Sequence, residues 1–199
     1  MTYRFQAIKE IIMEKNMINL SRYKTMPLKN KLKRLIWKIT WNIVTFFFPK
    51  SFGNYFKIVA LRLFGAEAHK SSKIYSSAQI FQPWKLKIGA NSTLSSGVDC
   101  YNVDWIVIGS NSTISQNTFL CTASHDIEDG HHQLITKPIY IGDQVWVGSR
   151  AFINMGVVLG EGSVIAGQAL INKNVESWTV VGGNPARFIK ERTIKYYSN

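Results

Sequence analysis

The stretch LCTASHDIEDGHHQL, residues 120–134, concentrates side chains that can ligate a metal or move a proton. It contains His125, His131 and His132, three of the four histidines in the chain, together with Cys121 and the carboxylates of Asp126, Glu128 and Asp129. Three uses are open to such a set. Cysteine and histidine can bind zinc, an imidazole can act as a general base near neutral pH, or the stretch can be a polar surface loop. The spacing of Cys121, His125, His131 and His132 matches no closed structural zinc pattern, and the remaining histidine, His69, lies far upstream. No metal is expected.

What must position this stretch is a repeat. Ile141, Val147, Ile153, Leu159, Ile165 and Ile171 fall six residues apart, and Gly142, Gly148 and Gly160 directly follow three of these aliphatics or their counterparts. Upstream, the same step of six runs in groups of three: Ala68, Ile74, Ile80; Ile88, Leu94, Cys100; Ile108, Ile114, Leu120. Thirteen of these fifteen positions are Ile, Leu or Val. One inward aliphatic per six residues, with small or polar residues such as Asn91, Ser92, Thr93 and Asn111, Ser112, Thr113 between, is the pattern of a parallel β-helix of short strands. Three such sides make one triangular coil, and coils stack at about 4.8 Å. In this register Cys100 is a small buried hydrophobe, whereas Cys121 faces the loop with nothing beside it that marks a nucleophile.

The departures from six are informative. Ile80 to Ile88 and Cys100 to Ile108 are 8 apart and Leu120 to Ile141 is 21, so the excess falls on every third side, at one corner of the prism. Insertions aligned on one edge of a solenoid commonly build its binding face. The inserted segments are FQPWKLK (81–87), YNVDWIV (101–107) and the long segment 121–140 that carries His125. Trp84, Tyr101 and Trp105 on this corner either stack on a bound ligand or cap coil edges.

Composition sets the remaining bounds. With 46% hydrophobic and 18% charged residues the chain is a folded protein, and its two cysteines give no disulfide framework. The net charge of +12 calls for an anionic partner. Lys29, Lys31, Lys33, Arg34 and Lys38 alternate with Leu32, Leu35, Ile36, Trp37, Ile39 and Trp41 and lead into WNIVTFFF before Pro49. That is a basic amphipathic helix, too short in its apolar part to span a bilayer. It suits either a membrane interface or packing on its own domain or a sister subunit. MTYRFQAIKEIIMEK lacks the apolar core of a signal peptide, which implies cytoplasmic residence, with attachment to the inner membrane face if the amphipathic helix binds lipid. No RNA- or DNA-binding motif accompanies the basic residues, so nucleic acid is not an expected partner.

The hexads, the histidine-bearing loop and the closing stretch WVGSRAFINMGVVLGEGSVIAGQALINKNVESWTVVGGNPARFIK resemble the hexapeptide-repeat acetyltransferases, whose fold is a left-handed parallel β-helix. The hand comes from the resemblance, since parallel crossovers are otherwise right-handed. PWKLKIG, YNVDWIVIG, ISQNTFLCTASHDI, KPIYIG and WTVVGGNPAR are most similar to the colanic-acid-type exopolysaccharide acetyltransferases. More distantly they resemble galactoside and nodulation-factor O-acetyltransferases. The resemblance covers residues 60–192.

It implies acetyl transfer from acetyl-coenzyme A to a sugar hydroxyl, in a homotrimer whose sites lie between subunits. The family's catalytic histidine maps to His125. An alcohol is a poor nucleophile at neutral pH, and an imidazole can take its proton as it attacks the thioester carbonyl. A carboxylate or carbonyl on the other ring nitrogen would fix the tautomer, with Asp126 and Glu128 as candidates, and a backbone N–H of the Gly148–Ser149 turn would stabilise the oxyanion. The resemblance puts Trp146, Gly148 and Ser149 beside the pantetheine arm and Gly167 where the backbone approaches it. Asn172 and Lys173 lie further along, with Arg187 and Lys190 towards the nucleotide phosphates. Where relatives read Gly-Ala-Gly-Ser this chain has Ala166, Gly167, Gln168 and Ala169, so its coenzyme groove is expected to be shaped differently. On the acceptor side, Ser95 stands where galactoside enzymes carry an Asn and Asn102 where they carry an Asp. Asp104 and Trp84 complete the candidate acceptor contacts. His131 and His132 are assigned to the outer reach of the loop.

The expected organisation is an all-β molecule. A basic amphipathic helical segment (1–64) precedes a left-handed parallel β-helix (65–180) with a protruding loop at 121–140, and a C-terminal tail (181–199) follows. The expected acceptor is a saccharide, lipid-linked or nucleotide-linked. Rival functions are N-acetylation of an amino sugar, O-acetylation of a small molecule such as an antibiotic, a non-catalytic saccharide-binding scaffold, and a metal-dependent hydratase.

Overall fold

The computed structural model describes residues 27–49 and 53–195. Of the expected N-terminal segment, residues 1–26 lie outside the described residues. From Glu67 onward the chain is a parallel β-solenoid of about six turns. All fifteen positions read as inward from the period of six are buried, none more than 5% exposed. They stack in register on three faces. On the first face Ala68, Ile88, Ile108, Ile141, Leu159 and Val175 align. The second aligns Ile74, Leu94, Ile114, Val147, Ile165 and Val181, and the third Ile80, Cys100, Leu120, Ile153 and Ile171.

Several corners turn through a left-handed residue, held in the later coils by Gln144, Arg150, Gln168 and Trp178 and in the earlier ones by asparagine. Asn91 (φ +57°), Asn111 (φ +56°) and Asn117 (φ +57°) occupy such positions, and Asn is among the residues least penalised there. Between the first and second faces a column of buried serines ties coil to coil. Ser72, Ser92 and Ser112 donate to the carbonyls of Gly89 (3.0 Å), Gly109 (2.6 Å) and Gly142 (2.8 Å) in the next turn. Buried hydroxyls are thus satisfied by backbone that the ladder itself brings close. Gly148 is required for the same closeness: a Cβ there would lie 2.6 Å from the Gly167 nitrogen and 2.7 Å from the Ile165 oxygen.

A stacked solenoid exposes unpaired backbone at its first coil, and an open edge needs a cover. The N-terminal segment supplies one with two helices, α1 (Leu28–Phe47) and α2 (Asn54–Leu63). On the third face the indole N–H groups of Trp37 and Trp41 donate to Ile80 O (2.6 Å) and Ala78 O (3.0 Å). On the second, Asn54 imitates a strand, donating to Ser72 O at 2.7 Å and accepting from Ile74 N at 2.9 Å. On the first, Arg62 Nε donates to Ala68 O at 2.7 Å. Leu61 and Ile58 close the apolar end of the prism. The helical segment is therefore a cap on its own domain.

Beyond residue 180 the expected tail takes another form. Thr179–Gly183 continues the second face, the chain reverses through Gly183 (φ +98°), and Ala186–Glu191 returns antiparallel beside it. Arg192 then donates to Gln144 O and Gly162 O, both at 2.7 Å, fastening this strand across turns of three successive coils. Thr179 and Val181 face inward on either side of Val180, which suits a strand, whereas Gly182, Gly183, Asn184 and Pro185 end the coil pattern and hide the return.

Candidate active site

The large insertion leaves the corner between the third and first faces. Phe119–Cys121 and Ile139–Ile141 still belong to the coils, so the excursion is narrower than 121–140. It is a hairpin: Ala123–His125 pairs antiparallel with Leu134–Thr136, with His125 opposite Leu134. Its root is fixed by buried Thr122, whose Oγ1 donates to Tyr101 O (2.9 Å) and accepts from Asp104 N (2.9 Å). Asp104 takes Thr136 Oγ1 on its Oδ2 (3.2 Å) and its own neighbour Trp105 N on Oδ1 (2.8 Å). Lys85 of the first insertion reaches the same carboxylate at 3.9 Å and Val103 O at 2.6 Å. All three insertions are thus linked, and the link ends at the arm that carries His125.

His125 sits at the end of its strand with Nδ1 2.7 Å from His132 O. A carbonyl oxygen can only accept, so Nδ1 carries a proton, and in the neutral imidazole the lone pair is then on Nε2. Neither expected carboxylate is this partner. Asp126 accepts from Glu128 N at 3.0 Å, and Asp129 accepts from His131 N at 2.9 Å, each shaping the turn. His132 adopts φ +47° and donates its N–H to Asp129 O (2.8 Å), which aims its carbonyl back at His125. His132 lies in the hairpin's turn, as its place in the outer reach of the loop implies, but its carbonyl reaches back to the His125 ring.

Cys121 donates its thiol to Ala123 O at 3.1 Å. Among the described residues no group of three or more His, Cys, Asp or Glu stands close enough to hold a metal ion. Burial, followed by the neighbouring Asp99 charge, pushes the Cys100 thiol far up, as its inward position requires. Burial also raises the Asp99 carboxyl.

The four acceptor candidates part company. Asp104 stands at the hairpin root. Asn102 is fully buried and uses both ends of its amide on the corner backbone, accepting from Gln82 N (2.9 Å) and donating to Gln82 O (2.6 Å) and Lys85 O (3.1 Å). It is a clamp between two insertions, not an acceptor contact. Trp84 lies under Lys33 of α1, whose Nζ is 4.0 Å from the ring centroid, and over Gly65. It seals the helical cap to the first insertion. Ser95 is buried at a different corner, between the second and third faces.

Of the coenzyme candidates, Trp146, Gly148, Ser149 and Gly167 lie along the second face and its corner with the third, whereas Asn172 and Lys173 follow Ile171 at the third-to-first corner, two turns beyond the hairpin. Trp146 is 53% exposed and its indole donates to Ser115 Oγ at 3.1 Å, which fixes a flat apolar surface outward. Gly148 spends its N–H on Ile165 O (2.8 Å), so of the two expected oxyanion donors only Ser149 remains suitable. Gly167 lies in the next turn, where an added Cβ would meet Ser149 O at 3.3 Å. Asn172, Lys173 and Arg187 line one cavity of about 360 Å³ at the end of the prism. Lys190 is exposed on the returning strand, opposite Val180.

Within one chain the His125 hairpin and the residues Trp146, Ser149 and Gly167 do not converge. The His125 hairpin leaves the third-to-first corner, whereas Trp146 lies on the second face and Ser149 and Gly167 on the second-to-third corner. The full width of the third face, about 15–20 Å for six extended residues, separates the two groups.

Residues 138–169 match the family described as "Hexapeptide repeat of succinyl-transferase". The Escherichia coli K12 protein named "Putative colanic acid biosynthesis acetyltransferase WcaF" is 39% identical over 132 residues, 66% of this chain and 72% of that protein. The chain belongs to the hexapeptide-repeat acetyltransferases. The E. coli galactoside O-acetyltransferase is 37% identical over 100 residues, covering 47% of this chain and 46% of its own. A hexapeptide-repeat acetyltransferase from Vibrio cholerae, solved in complex with acetyl-coenzyme A, superposes with a TM-score of 0.71 at 26% identity. That superposition covers 89% of this chain and 97% of the other. This hexapeptide-repeat protein is accordingly an acetyltransferase that uses acetyl-coenzyme A. Its residues fit that substrate: an outward indole and a glycine-lined turn lie on the second face and its corner, and a cavity bearing two cations lies across the end of the prism.

Proposed function

We propose that this protein transfers an acetyl group to a hydroxyl of a saccharide, within a surface polysaccharide or its lipid-linked or nucleotide-linked precursor, with His125 as the general base. The observation that carries the mechanism is the contact from His125 Nδ1 to His132 O at 2.7 Å, because it leaves Nε2 as the acceptor. The sugar oxygen attacks the thioester carbonyl carbon while Nε2 takes its proton. The resulting oxyanion is held by a backbone N–H such as that of Ser149. As the carbon–sulfur bond breaks, the imidazolium returns the proton to the departing thiolate. No acyl-enzyme forms.

The saccharide class is supported by the relatives named for colanic acid and galactosides. The separation of His125 from Trp146, Ser149 and Gly167 supports a homotrimer, in which a neighbouring copy brings its second face and corner to the hairpin. The deciding experiment measures thiol release from acetyl-coenzyme A across a panel of hydroxylated and amino sugars, for wild type and His125→Ala. Loss of a positioned base should lower kcat by about 10²–10⁴-fold. Full activity in His125→Ala would remove the mechanism. Turnover confined to amino sugars would make the enzyme an N-acetyltransferase, and release with no acceptor in the panel would point to a different substrate class.

A further inference from the structure

Helix α1 has two apolar faces, and the fold uses one of them. Trp37 and Trp41 are buried against the first coil, and two cations reinforce that seam, Lys33 over Trp84 at 4.0 Å and Arg34 over Phe81 at 4.1 Å. The opposite face is apolar as well. Leu28, Leu32, Leu35, Ile39, Ile43 and Phe46 recur at helical spacing and are 80%, 57%, 54%, 52%, 52% and 78% exposed. At 100° per residue, exposed Lys29 lies along one edge of this stripe and exposed Lys31 and Lys38 along the other. The stripe runs the whole 20-residue helix, about 30 Å. At its C-terminal end Phe47 and Tyr55 add further exposed rings.

We infer that this face of α1 docks the enzyme on an anionic membrane surface, the stripe entering the boundary between headgroups and acyl chains while the flanking lysines meet lipid phosphates. A continuous apolar stripe with cations on both edges is what an interfacial helix requires. Charge decides against a second copy of the same face: no Asp or Glu occurs from residue 15 to 66, so two such helices would set lysine against lysine with no carboxylate between them. Among the described residues no helix is long and apolar enough to cross a membrane, which agrees with a helix lying in the surface plane. The two tryptophan hydrogen bonds to the first coil fix the helix, so the solenoid is held in one orientation above the lipid. An acceptor saccharide carried on a lipid would then share that surface with the enzyme. The docking itself does not depend on the proposed acetyl transfer.

The test is flotation of the full chain with vesicles of phosphatidylglycerol and phosphatidylcholine against vesicles of phosphatidylcholine alone, at 50 and 500 mM salt. The expected result is binding to the anionic vesicles at low salt, at least about tenfold weaker on neutral lipid and at high salt. Leu32→Gln, Ile39→Gln and Ile43→Gln together should lower binding to anionic vesicles about tenfold or more while thiol release with a soluble acceptor is unchanged. Lys29→Gln, Lys31→Gln and Lys38→Gln form a second variant that leaves the apolar face intact and should give a comparable loss, so the inference stays exposed to failure if the first variant misfolds. Wild type that binds neither vesicle overturns it, because the stripe is then covered by a second copy or another part of the chain. So does a stripe variant that binds undiminished, or one that changes only the oligomeric state by light scattering. Vesicle binding is read without substrate, so a failed acetyl-transfer assay and a failed docking assay are told apart.

Discussion

At His125 the decisive partner is a main-chain oxygen, supplied by a residue seven positions away that carries an imidazole of its own. The carboxylates of Asp126 and Asp129 are turned to hydrogen-bonding the hairpin tip. Asp104 ties Thr136 to the corner, and we propose that it positions the hairpin without touching the reacting groups. Asp104→Ala frees Thr136 and the Trp105 N–H. It should lower kcat about tenfold with the KM for acetyl-coenzyme A unchanged, since the contacts of Asp104 are to Thr136, Trp105 and Lys85 and to none of the coenzyme candidates. Asp104→Asn keeps an acceptor for either donor and should recover much of the loss. If Asp104→Ala instead raises the KM for the sugar and spares kcat, Asp104 touches the acceptor and the positioning role is wrong.

Among the elements, the helical cap and the hairpin both answer needs of the solenoid. The first coil presents unpaired carbonyls on all three faces, and Arg62, Asn54 and the Trp37–Trp41 pair satisfy them in turn. Trp37→Phe keeps the ring packing against Phe64 and Trp41 but strands Ile80 O. An orphaned buried acceptor costs about 1–3 kcal/mol, so the variant should unfold at lower denaturant with an unchanged slope. An unaltered midpoint would show that the cap is held by packing alone. The period of six announced the coils because each inward residue meets its like in the next turn. The return strand Ala186–Glu191 carries no such period, since it lies outside the coil and answers only to the edge of the second face.

For the molecule as a whole, the site is divided. The hairpin that carries His125 and the second-face residues proposed for the coenzyme stand on different corners of one prism, which predicts complementation between inactive variants. His125→Ala retains the coenzyme groove, and Gly167→Trp blocks the groove while retaining His125. If each site joins the hairpin of one copy to the groove of the next, random mixed trimers formed by unfolding and refolding the two together should recover about one quarter of wild-type activity. Each variant alone should stay inactive. No recovery in trimers shown to be mixed would place the whole site within one chain.

The sequence by itself determined the coil. A period of six with thirteen aliphatics in fifteen inward places leaves one way to bury them, and the excess residues locate the enlarged corner, the hairpin and His125. These follow from local pattern, because parallel stacking pairs each residue with another a fixed number of turns away. Only the tertiary structure decided what the polar groups do. Asn102 became a buried clamp, Trp84 a seat for Lys33, and the His132 carbonyl the partner of His125, each through contacts between segments whose approach no spacing encodes. It also decided which side of α1 is spent on the fold. Both faces of that helix are apolar in sequence, and the hydrogen-bonding needs of the first coil's open edge chose the one bearing indole N–H groups.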